Sequence, residues 1–91
     1  MSDHASVVDA IRKSLEEALG RIDPHHRLLG RPVTFRMVDG ATLEITYRDV
    51  AGIAEAEVLG VKRLIGRECF CTVGPQTAET LTVRFVVNLK S

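Results

Sequence analysis

GRPVTFRMVDGATLEITYRD, from Gly30 to Asp49, is the stretch whose reading decides the fold. Val33, Phe35 and Met37 alternate with Thr34, Arg36 and Val38; beyond Asp39-Gly40, Leu43, Ile45 and Tyr47 alternate with Thr42, Glu44, Thr46 and Arg48. Period-two alternation marks a strand with one buried face, and two such runs around an Asp-Gly step mark a β-hairpin. Asp-Gly suits the central positions of a type I′ turn, which need positive φ and whose twist matches that of the flanking strands. A hairpin over residues 32–49 is therefore expected, with Arg36 and Arg48 on its polar side beside Thr34, Glu44 and Thr46.

Downstream, the same pattern recurs. Over residues 80–89, Leu81, Val83, Phe85, Val87 and Leu89 face one way and Thr82, Arg84 and Asn88 the other. Residues 67–73 place Cys69, Cys71 and Val73 on one face and Glu68, Phe70 and Thr72 on the opposite one, before turn chemistry in Gly74-Pro75-Gln76-Thr77. Between the hairpin and this strand, Ala54, Ala56 and Val58 alternate with Glu55 and Glu57, which predicts a further strand, although Ala and Glu are also good helix formers. Gly60 and Gly66 bracket VKRLI, read as a strand continuation, a bulged corner or an exposed loop with Lys62 and Arg63 at its tip. These strands fall within residues 53–89.

Upstream, Val8, Ile11, Leu15, Leu19 and Ile22 recur at spacings of three and four, so a helix is expected over about residues 6–22. Ser6 with Asp9 makes a weak capping box, and Asp9 with Lys13 and Glu17 with Arg21 are acid-first pairs on the solvated side. Asp23-Pro24 ends the pattern, because the residue before proline is pushed out of the helical region. The fold class is thus α+β: an N-terminal helix followed by about five antiparallel strands that curl into a small SH3-like or Sm-like barrel. An open antiparallel sheet with the helix packed on one face is the alternative, and its exposed edges invite pairing with a second copy.

At 91 residues the chain has room for one domain, residues 1–91, with a small core. With no Trp, one Tyr and three Phe, that core must be built from Val, Leu, Ile and Ala. Twelve basic and twelve acidic residues cancel, so no bulk attraction to nucleic acid or anionic membrane arises and any such contact needs a local patch. The first residues, MSDHASVVDAIRK, carry acids and no apolar run, which excludes a signal peptide or a membrane anchor from the reading. Two cysteines one residue apart make no secreted disulfide framework, and a cytoplasmic location is expected.

Few residues carry a chemical signature. His25-His26 and Cys69-x-Cys71 are the grouped metal-capable side chains, but the cysteine spacing fits no common zinc pattern, so buried packing is expected of the cysteines and exposure of the histidines. Glu55 and Glu57 share a face without a nucleophile or base beside them. No phosphate loop, Ser-His-Asp grouping or HExxH is present, so no catalytic residue, metal or cofactor is assigned. The basic concentration consists of Arg27, Arg31, Arg36 and Arg48 around the hairpin, with Lys62, Arg63 and Arg67 beyond it. Were the 61–65 segment to fold over the hairpin's polar side, five or more cations would converge there.

Two resemblances bear on this architecture. Leu28-Leu29-Gly30-Arg31-x-Val33-x-Phe35-x-Met37-x-Asp39-Gly40 resembles the first strands of Sm-like proteins, which implies a short helix before a bent five-stranded barrel. Ile45 stands where that family usually has glycine. Leu43-x-Ile45-x-Tyr47-Arg48-Asp49-x-x-Gly52, then Val58, Gly66 and Arg84-Phe85, is similar in order to WYL domains, ligand-responsive regulatory barrels in bacteria; that resemblance implies polar contacts from Arg48 and Arg84. The functional expectation is a noncatalytic binding or regulatory module that forms a homo-oligomer and recognises an anionic ligand or nucleic acid through Arg31, Arg36, Arg48, Lys62, Arg63 and Arg84. The alternative is a structural assembly or adaptor subunit, for example phage-derived, that acts through protein contacts only.

Overall fold

The computed structural model describes residues 4–90. Helix α1 (His4–Lys13) runs through a π-helical segment (Ser14–Ala18) into α2 (Leu19–Ile22), and strands β1 (Val33–Asp39) and β2 (Thr42–Val50) follow. Helix α3 (Glu55–Ile65) then precedes β3 (Cys69–Pro75) and β4 (Leu81–Asn88). The four strands form one antiparallel sheet in the order β1-β2-β4-β3. Among the described residues this is the open sheet with helices on one face, with four strands rather than five and no closed barrel.

The missing strand is α3. Ala and Glu at residues 54–57 alternate as a strand would, yet both favour helix, and the ends of the segment carry helix signals. Glu57, at the third helical position, accepts the Ala54 N–H through Oε1 at 2.8 Å, half of a capping box. Gly66, at φ +69, takes the left-handed conformation that closes the helix, and its N–H donates to the Lys62 carbonyl. Val61 and Ile65 face inward while Lys62 and Arg63 sit in the last turn, where cations complement the helix dipole. With this segment helical and laid against the sheet, no fifth strand remains to close a barrel.

Three rows of side chains line the covered face: Val33, Tyr47, Val83 and Val73; then Phe35, Ile45, Phe85 and Cys71; then Met37, Leu43, Val87 and Cys69. Ile11, Leu15 and Leu19 from the first helical run and Val61 and Ile65 from α3 join all of these but Met37 and Val73, which are exposed, in one core. The Arg12 guanidinium lies 4.8 Å from the centre of the Phe35 ring and pairs with Asp9 at 3.3 Å, the i,i+3 partner in place of Lys13. Burial, with a small push from Glu16, raises the Tyr47 hydroxyl to about 12, so it stays neutral at every ordinary pH.

Several local expectations are corrected. Ser6 lies inside α1 rather than capping it. Ile22, the last residue of α2, is exposed, whereas Leu19, just beyond the π-helical segment, is buried. The helix does end where Pro24 requires: Asp23 is extended, at φ −145 and ψ 93. The hairpin turns on Gly40 and Ala41, between paired Asp39 and Thr42, with an irregularity between Met37 and Asp39. Neither Asp39 nor Gly40 has positive φ, so the turn is not type I′. Asp39 instead accepts the Ala41 N–H through Oδ1 at 2.8 Å, an Asx turn; that bond, with a second from Thr42, holds its carboxyl below the usual value.

His26 and Glu57 tie the α2–β1 connector to α3. His26 is buried, and its Nδ1 accepts the Leu28 N–H at 3.2 Å, so the ring proton sits on Nε2, which donates to the Glu57 carbonyl at 2.9 Å. The Glu57 carboxylate also accepts the Arg27 N–H at 2.9 Å. Burial alone works to raise the Glu57 carboxyl, but the bonds from Arg27 and Ala54 and the charges beside it outweigh that and hold it below its ordinary value. A carboxyl lowered on folding stabilises the fold at neutral pH, and that contribution disappears as pH falls from the unfolded glutamate value through the folded one. Urea unfolding followed across the acid range should show this loss. Glu57→Gln should be less stable near neutrality and show a shallower acid decline, and an identical acid decline in the variant would remove Glu57 as its source.

Candidate functional site

The second face of the sheet carries no helix. Its rows follow from the same register: Thr34, Thr46, Arg84 and Thr72 form one, and Arg36, Glu44, Val86 and Phe70 the next. Thr42 and Asn88 begin a third, which Glu68 joins by accepting the Asn88 N–H at 2.9 Å. Across the middle row, with about 4.8 Å between neighbouring strands, the surface passes from a cation on β1 to an aromatic ring on β3.

Glu44 organises the charged half. Its Oε1 lies 3.2 Å from Arg36 Nη2 and 3.8 Å from Arg84 Nε. Arg84 Nε also donates to Thr46 Oγ1 at 3.4 Å, which is why Thr46 is buried although no helix covers it. Two guanidinium groups thus share one carboxylate, while Glu68, hydrogen-bonded to Asn88 on the next row, is the second carboxylate of the face. Such cross-strand pairs are worth a few tenths of a kcal/mol up to about 1 in water, so they orient the arginines without consuming them.

The other half is apolar and concave. Phe70 is 59% exposed on this face, beside half-buried Val86. Both line an open concavity of about 890 Å³ that extends over Thr42 and Asn88 to Asp39, Glu68 and Lys90. A planar apolar group entering it meets the Phe70 ring and the Val86 methyls, with hydrogen-bonding side chains at the rim.

The residues singled out from the sequence separate into three places. Arg36 and Arg84 come together on the uncovered face. Arg31 and Arg48 lie at the far end of the β1–β2 pair, where Asp49 takes φ +59 at a bulge between Tyr47 and Val50. Arg31 donates to the Asp49 carbonyl at 3.2 Å and so braces that bulge, whereas Arg48 is exposed with no side-chain partner among the described residues. Asp49 is held from the other side by Gln76, whose Oε1 accepts the Asp49 N–H at 2.9 Å and whose Nε2 donates to Asp49 Oδ1 at 2.7 Å. Lys62 and Arg63 belong to α3 and lie with the covered side, so the expected convergence of five or more cations does not form.

The histidines and cysteines are also placed. His25 is exposed, and its N–H donates to Asp23 Oδ1, whereas His26, expected at the surface, is buried with both ring nitrogens engaged. Cys69 and Cys71 are half-buried free thiols on the covered face of the outermost strand. Burial pushes both thiols up, and the charge of nearby Lys62 works against that. Among the described residues no group of three or more His, Cys, Asp or Glu is placed to hold a metal ion. Nor is any helix among them long and apolar enough to cross a membrane; residues 1–3 of the N-terminal stretch lie outside the described residues. Phe70 is the site residue that sequence reasoning undervalued, and its signal was an aromatic at an even position of a strand whose odd positions face the core.

Compared with protein-family models, with curated proteins and with solved structures, the chain finds no match.

Proposed function

We propose that this chain is a noncatalytic binding module that self-associates and recognises an anionic ligand on its uncovered sheet face, single-stranded nucleic acid being the class whose chemistry fits. The observation that carries the reading is the row Arg36, Glu44, Val86, Phe70, which sets a guanidinium and an exposed aromatic ring on one uncovered surface. Arginine pairs with phosphate through its planar fork, and base–aromatic stacking is tolerant of sequence because every base offers a π-face. Arg48, at the far end of the β1–β2 pair, and Lys62 and Arg63, on α3, take no part in this row.

The test is binding of a mixed-sequence oligoribonucleotide, followed by fluorescence anisotropy across a salt series. With two arginines on phosphates, log K should fall with log salt at a slope of about −1.4, and Arg36→Ala should halve that slope. Phe70→Ala should cost about 1–3 kcal/mol of binding at every salt concentration. Absence of binding at low salt, or binding indifferent to both substitutions, removes the reading.

A second reading is favoured by a different observation. Strand β3 reads CFCTVGP, with no charged residue, and lies at the edge of the sheet. An uncharged edge suits an assembly or adaptor subunit that acts through protein contacts.

A further inference from the structure

The outer edge of β3 is open: among the described residues nothing pairs with it. Its phase is fixed by β4. Phe70, Thr72 and Gly74 pair with Val86, Arg84 and Thr82, and Glu68, of the same parity, accepts the Asn88 N–H. In an antiparallel ladder the backbone groups of alternate residues face alternate neighbours. The N–H and C=O of Cys69, Cys71 and Val73 therefore face outward, while Pro75 offers the edge no donor.

We propose that a second copy of this chain adds to that edge, β3 against β3 in antiparallel sense about a two-fold axis at Cys71, to give a continuous eight-stranded sheet. This rests on the self-association in the reading above and not on its nucleic-acid part. Three self-pairings are near enough to compare. An axis at Thr72 forms as many backbone bonds but sets the Cys69 carbonyl against the ring of Pro75, which has no N–H to offer it; an axis at Phe70 must recruit Arg67, which lies outside the strand. The axis at Cys71 sets Cys69 opposite the second copy's Val73 and Cys71 opposite Cys71, so all three outward N–H groups of each copy find a carbonyl.

Charge separates this edge from the opposite one. Strand β3 brings no charged side chain to its own copy, and exposed Phe70 comes to lie opposite Thr72. Strand β1, paired with itself about Phe35, would set Arg36 of the two copies diagonally across the axis, where like charges repel. An edge contact this narrow falls short of the roughly 1,200 Å² of a standard interface, so the dimer should dissociate on dilution.

The register makes one sharp demand. Directly opposed, hydrogen-bonded residues have Cα atoms about 5.5 Å apart, inside the Cα range of a disulfide. Because their side chains stand wider than in a non-hydrogen-bonded pair, the bridge needs a local twist of the two strands; Cys69 faces valine. Sedimentation equilibrium over a concentration series is paired with oxidation by diamide, which takes up the two electrons and two protons released when two thiols join. A concentration-dependent dimer is expected, with covalent dimer formed by the native chain and by Cys69→Ser and none by Cys71→Ser. Cys71→Pro, which removes an outward N–H and exchanges a half-buried thiol for the proline ring, should sediment as a monomer that keeps the native circular dichroism spectrum. A dimer that cross-links equally well without Cys71 overturns the β3 register while leaving self-association standing. A monomer at every concentration overturns both, and neither result touches the oligoribonucleotide binding measured separately.

Discussion

Phe85→Ala is expected to unfold the domain. Phe85 is fully buried at the centre of β4, between Ile45 and Cys71 in its row, and meets the Tyr47 ring edge-on at 6.4 Å and 86°. Replacing a buried phenylalanine by alanine removes its transfer free energy and leaves a cavity, at a cost of about 3–5 kcal/mol. The whole stability of a domain is typically about 5–15 kcal/mol, and short chains lie at the low end. Thermal unfolding followed by circular dichroism should therefore show the transition greatly lowered or absent. Phe70→Ala, on the same sheet but exposed, should leave it within about 0.5 kcal/mol of the native value, so the pair reads out which face is covered. An unchanged melting temperature for Phe85→Ala would show the β4 register to be wrong.

His26→Leu should carry the next largest cost. Leucine fills the buried volume but leaves the Leu28 N–H without an acceptor and unties the connector from the Glu57 carbonyl. An orphaned buried N–H costs about 1–3 kcal/mol. His26→Asn separates the two losses, because its side-chain carbonyl can take the place of Nδ1 toward Leu28 without reaching Glu57. Urea denaturation should rank the native chain first, His26→Asn second and His26→Leu last. Equal stability of all three would mean that the imidazole is spatial filler.

The hairpin, β3 and β4 were legible in the sequence because each keeps strict alternation over a half-buried strand. Alternation put Arg36 and Glu44 on the same polar side of the hairpin, where the structure joins them in an ion pair at 3.2 Å. Helix α3 was not read, because Ala54 to Val58 satisfies period two as well as it satisfies helix propensity. Its better signals lay further on: Val58, Val61 and Ile65 at helical spacing, Gly66 as the stop, acids in the first turn and bases in the last. Reading it as strand or loop is what made five strands, a barrel and a convergence of Lys62 and Arg63 with the hairpin arginines look consistent. His26 was beyond local reading, since its partner Glu57 stands 31 positions away and nothing near either residue announces the pairing. The π-helical turn left no pattern in the side chains that spacing alone could detect.

The strand order has a consequence for how the chain leaves the ribosome. Of the four described strands β4 is synthesised after the other three, yet it lies inside the sheet, between β2 and β3. Until residues 81–88 emerge, the nascent protein holds a finished hairpin and a solitary β3, two pieces with no backbone pairing between them. During that interval both flanks of β3 are bare, and a strand with no charged side chain is poorly defended against neighbouring chains on a polysome. Insertion of β4 closes one flank and leaves the other, so the hazard of synthesis and the contact surface proposed for the finished protein are two sides of the same strand.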